Sequence, residues 1–110
     1  MAKFVTIGYG DEAGYESTDD SVLEAAHAHD ERLQEAGVEM GIAGSPVLVR
    51  NHDAQGVTTQ DGPFLMSALP LAGFSVFEAD SLADAIEMVS KSPCAVSQGV
   101  VEVWPLKDTP

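Results

Sequence analysis

The sequence predicts an α+β fold in which a four-stranded antiparallel sheet carries two helices on one face. Three observations lead there. Apolar periodicity switches repeatedly between that of a strand and that of a helix, in the order strand, helix, strand, hairpin, strand, helix, strand. Two strand-helix-strand units with right-handed crossovers place both helices on the same side of the sheet. At 110 residues, the chain has room for a single core. Residues 1–106 are expected to form one domain, and 107–110 a short tail.

The first strand is expected over Lys3 to Tyr9, rich in β-branched and aromatic residues and stopped by Gly10-Asp11. Asp11 to Asp20 is polar and irregular, and reads as a loop. A helix follows from about Asp20 to Ala36. Ser21 and Glu24 have capping-box spacing, Asp19 and Asp20 serve equally as caps, and Gly37 suits the C-terminal end. Its apolar stripe is Val22, Ala25, Ala26, Leu33 and Ala36, with His29 on the same side and His27 directed elsewhere. Val38 to Ala43 is the second strand. Val47 to Arg50 and Val57 to Gln60 flank a turn-rich Asn51 to Gly56 and make a hairpin.

Leu65 to Ala72 is apolar but broken by Pro70. The third sheet strand is expected over Gly73 to Glu78, and the second helix over Ser81 to about Ser90, opened by Ser81 with Asp84 three residues later. Pro93 marks its end, and Val100 to Trp104 is the last strand. This order, with a hairpin inserted between its halves, is that of a ferredoxin-like fold. Phe4 alternates with Val5 and Ile7, and Phe77 with Phe74 and Val76, so the sheet is apolar on both faces. Two helices cover one face. A second copy of the sheet is the simplest cover for the other, which predicts a homodimer through the sheet face.

Composition narrows the function. Eighteen acidic residues against five basic ones give a formal net charge of −13. Such a surface opposes binding to phosphate backbones and anionic membranes, so neither nucleic acid nor membrane is expected as a partner. Cys94 is the only cysteine, which excludes an intramolecular disulfide. With no long apolar segment at the N-terminus or elsewhere, a cytoplasmic setting is expected.

Asp61-Gly62-Pro63-Phe64 is a compact turn. Asp bonds its own backbone, Gly supplies conformational freedom, Pro fixes φ, and Phe64 is expected to carry its ring into the layer beneath. The following proline should hold Gly62 extended. With the Gly73-Phe74 strand, the Leu82-Ala83-Asp84-Ala85 helix and the final Val101-Glu102-Val103-Trp104-Pro105, this motif resembles the YCII-related (DGPF-domain) family. The resemblance runs from the first strand to Pro105. It implies a ferredoxin-like fold paired into a dimeric α/β barrel. It also implies an active-site histidine on the first helix, a pattern matched by His29-Asp30-Glu31-Arg32-Leu33.

The chain departs from that family twice. Relatives place an aspartate before the proline after the second helix, where this chain has Ser92-Pro93. Relatives also continue the turn motif with charged residues, where this chain has Leu65-Met66-Ser67-Ala68-Leu69-Pro70. Asp61 is the carboxylate left to orient His29, and the two are expected to share one cavity as catalytic residues. Tyr9, Phe64, Phe74 and Ser92 are the expected ligand contacts.

No cofactor motif is present: Gly8-Tyr9-Gly10 lacks the rest of a nucleotide fingerprint. His27 and His29 diverge on a helix, so no metal is expected. Cys94, with only Lys91 nearby in sequence, reads as inert. These features predict cofactor-independent acid/base chemistry, of lyase or isomerase type, on a small and partly apolar organic molecule. A non-catalytic module holding a ligand in the same pocket is the alternative.

Overall fold

The computed structural model describes residues 1–107, so 108–110 of the expected tail lie outside the described residues. Strands β1 (Ala2–Tyr9), β2 (Glu39–Ile42), β5 (Leu71–Ala79) and β6 (Val100–Pro105) form one antiparallel sheet in the order β2-β5-β1-β6. Helices α2 (Asp20–Glu35) and α3 (Leu82–Val89) supply the crossovers. The fold is the expected ferredoxin-like α+β arrangement.

Local chemistry explains the helix ends. The Gly37 N–H donates to Gln34 and the Val38 N–H to Leu33, both at 3.0 Å, with Gly37 at φ 102°. That pairing closes α2 with a left-handed glycine, as its sequence suggests. Ser81 caps α3, its hydroxyl accepting from the Asp84 N–H at 3.1 Å.

Two short helices were not expected. α1 (Glu12–Glu16) occupies the supposed loop, capped by the Asp11 side chain accepting from the Gly14 N–H at 2.9 Å. Gly14 disfavours a helix on propensity, but a Cβ there would lie 2.3 Å from the Ser97 carbonyl. Close packing decides the residue, and helix propensity yields to it. α4 (Pro93–Val96) starts at Pro93, which opens a new helix as well as following α3.

The alternation of β1 separates the two faces of the sheet. Phe4 pairs with Phe77 on the helix-covered face, where they are 2% and 6% exposed with ring centroids 5.9 Å apart. They pack with Val38, Ala79, Ala85 and Val89 into the core. Val5, Ile7, Phe74, Val76 and Trp104 fall on the other face. There Phe74 remains 46% and Trp104 54% exposed.

β3 (Val47–Arg50) and β4 (Thr58–Asp61) pair only with each other, Val47 opposite Asp61. This hairpin forms a separate arm rather than returning over the sheet. Gly62 takes φ 109°, not an extended conformation, because its N–H turns to donate to Pro46 at 3.1 Å. Phe64 then points outward and is 79% exposed, contrary to the buried ring expected of the turn.

Candidate functional site

Along the covered face, the β1–β5 register runs Phe4 with Phe77, Thr6 with Ser75, then Gly8 with Gly73. Side-chain volume therefore falls stepwise to nothing from one end of the layer to the other. Where the glycines meet, helix and sheet flank an open cavity of about 520 Å³. Leu33, Met40, Val89 and Val101 furnish its apolar wall. Cys94 reaches the same region, close enough that a Cβ on Gly8 would lie 3.0 Å from its sulfur.

Asp30 enters from α2. The inward side of this helix is Leu23, Ala26, Asp30 and Leu33, spaced three, four and three residues apart, whereas Val22, Ala25 and Ala36 are exposed. The carboxyl thus stands on the buried stripe. Burial raises its pKa above the ordinary aspartate range, and the neighbouring His29 and then His27 pull it back. No hydrogen bond from the described residues reaches it. His27 also lines the cavity and stacks with Tyr15, ring centroids 6.3 Å apart. The Tyr15 phenol is raised by burial first, then by Cys94 and Asp30. The Cys94 thiol is raised by burial and then by Asp30, which keeps it protonated and poorly nucleophilic.

The serine and threonine hydroxyls of the cavity are already engaged, while Gln34 adds a side-chain amide to its lining. Thr6 and Ser75 hydrogen-bond each other through their hydroxyls. Ser92 donates to the Val89 carbonyl at 2.7 Å. Lys and Arg are absent from the cavity lining, while Asp30 and Glu31 are both present. A second depression, lined in part by Asp11, Glu12 and Pro70, shares Tyr15 and Ala72 with the cavity.

The expected site residues divide. Ser92 lines the cavity, and Phe74 borders it although the strand register puts its ring on the open face. His29 does not: its Nε2–H donates to the Met88 carbonyl at 2.6 Å and ties α2 to α3. Asp61 is exposed at the end of the arm. The cavity expected to be shared by His29 and Asp61 is therefore not formed, since the arm stands off the sheet and His29 sits on the flank of its helix. Tyr9 is buried away from the cavity and donates to the Glu102 carboxylate at 2.5 Å, a bond that raises its phenol pKa. His27 faces the cavity it was expected to avoid.

Two signals in the sequence, unused above, could have found the cavity. One is the tapering Phe4-Thr6-Gly8 series matched by Gly73-Ser75-Phe77. The other is His27 and Asp30 on one helical side.

Among the described residues, no group of three or more His, Cys, Asp or Glu side chains is brought together as a metal site. No helix there is long and apolar enough to cross a membrane. A search of curated proteins finds no match to this chain. The YCII-related domain model matches residues 2–110, essentially the entire chain, and the protein belongs to that family.

Proposed function

We propose that the protein carries out cofactor-independent proton transfer on a small organic molecule held between α2, α4 and the sheet, with Asp30 as the proton-exchanging group. The observation behind this is a carboxyl on the inward stripe of α2, facing a largely apolar cavity and held above its ordinary pKa by burial. Asp30 takes a proton from a carbon next to a carbonyl, and the C–H electron pair moves into an enolate. The Tyr15 phenol, which burial keeps protonated, is the donor available to the developing oxyanion. Once the Asp30 carboxyl has swapped its proton with solvent, delivery to the same carbon gives exchange, and delivery to another carbon gives isomerisation. His29 acts on this site through the position of α2, and Asp61 takes no part in the monomer's cavity.

We also propose that the open face of the sheet joins two copies into a homodimer of α/β-barrel type, since Val5, Ile7, Phe74, Val76 and Trp104 make it apolar. A single cysteine and a −13 charge suit a cytoplasmic protein without nucleic-acid partners. Sedimentation should find a dimer that Trp104→Asp dissociates. A folded wild-type monomer at micromolar concentration contradicts the interface.

The chemistry is tested by NMR in deuterated water with neutral cyclic ketones. Accelerated C–H exchange is expected, falling by about 100-fold in Asp30→Asn. Binding at the cavity without exchange replaces catalysis by a ligand-holding role.

A further inference from the structure

The polar groups of the cavity also determine the charge of what it can hold. This argument rests on the proposed function only in taking the same cavity as the binding site. The five cationic side chains of the chain all lie elsewhere. Lys3 is exposed at the end of β1, and Arg50 sits on the arm, donating to Gln60 at 3.2 Å. Lys91, although beside Ser92, pairs with Glu87 at 3.4 Å. Arg32 and Lys107 are exposed.

Three hydroxyls that could have met an anion are occupied. Those of Thr6 and Ser75 face each other, and that of Ser92 is held by a backbone carbonyl. An anionic ligand would meet the Asp30 and Glu31 carboxylates with only the neutral donors of Tyr15 and Gln34, and His27, to offset them, inside a chain of net charge −13. A donor, by contrast, finds an unoccupied acceptor at Asp30 and an apolar wall for its body. An ammonium or amidinium also finds the faces of Tyr15 and His27 beside that carboxylate.

We infer that the cavity selects molecules whose polar end is an uncharged donor or a cation, joined to an apolar body, and excludes carboxylates and phosphates. The substrate class is accordingly phenols, enolisable neutral carbonyls and amines, not acids, sugar phosphates or coenzyme A esters.

Benzamidine, phenol and benzoate share a ring and differ at the polar end, so they serve as probes. In amide NMR titrations of the intact protein, benzamidine and phenol are expected to shift signals of α2, Gly8 and Gly73. Benzoate should bind at least about tenfold more weakly than either. Asp30→Asn should narrow that preference by weakening benzamidine and admitting benzoate. Its folding is checked by the unchanged amide spectrum of the Phe4–Phe77 end. Benzoate binding at the cavity as tightly as phenol overturns this inference and leaves the cavity assignment intact. If none of the three shifts those signals, the binding site itself is wrong, and this inference fails with it.

Discussion

The helix-covered face of the sheet has a packed end and a hollow end, built by the same two strands. At the packed end, Phe4 and Phe77 stack under α3 and are almost fully buried. Four register positions away, Thr6 and Ser75 have given way to Gly8 and Gly73, and about 520 Å³ is left unfilled. Backbone pairing is continuous between the two ends, so hydrogen bonding does not distinguish them. Side-chain volume does. The difference teaches that this fold obtains its stability at one end of the layer and leaves the other end free for a ligand.

The largest expected effect is at the packed end. Phe77→Ala removes one member of the stacked pair and leaves a void that close-packed neighbours cannot refill. The expected loss is about 3–5 kcal/mol, readable from the denaturation midpoint. That is a large share of the roughly 5–15 kcal/mol that holds a typical domain together. A loss under about 1 kcal/mol would mean that the two ends are equally loose.

The hollow end should respond far less. Thr6→Val together with Ser75→Val removes both partners of the hydroxyl pair and projects apolar groups into the cavity. Stability should change by no more than about 1 kcal/mol, because no polar partner is left stranded. Probe binding at the cavity should weaken at the same time. A collapse in stability would show that the hydroxyl pair is a structural bolt and not part of a ligand site.

The strands that build the packed end were legible in the sequence, and the hollow end was not. Strand alternation set Phe4 apart from Val5 and Ile7, and Phe77 apart from Phe74 and Val76, without showing which face the helices cover. The helical stripe made Leu33 inward, because apolar side chains follow the periods of 2 and 3.6. A cavity is an absence of side chains, and glycine in a strand reads as weak propensity before it reads as space. Asp30 escaped for a related reason. Counting only apolar residues turned the stripe of α2 towards Val22 and Ala36, which made His29 look central and His27 peripheral. The turn at Asp61 was legible as a turn, but its direction was not. Whether a hairpin folds back depends on packing partners, and β3 and β4 find none on the sheet. The short helices α1 and α4 depend on contacts such as that between Gly14 and Ser97, far apart in sequence.

A smaller effect separates the two ends by pH. Burial holds the folded-state pKa of Asp30 above its ordinary value of 3.8. The protonated carboxyl therefore favours the folded state, an advantage fully present below that ordinary value and lost as pH rises through the folded-state pKa. Asp30→Asn should thus be more stable than wild type at neutral pH and gain nothing in acid. Because solvent reaches more than a third of this carboxyl, the gain should stay below about 1 kcal/mol. Thermal melts at two pH values decide this, and a variant less stable at neutral pH would contradict a desolvated carboxylate.

The central claim is that Asp30, turned into the hollow end, is the group that exchanges protons there. Carbon-13 NMR titration of the Asp30 side-chain carboxyl in the intact protein tests it most directly. The account predicts a midpoint above 3.8, moving further upward when phenol fills the cavity and displaces water from the carboxylate. A midpoint at or below 3.8 that phenol leaves unchanged would place Asp30 in solvent or in a fixed ion pair, and would contradict the claim.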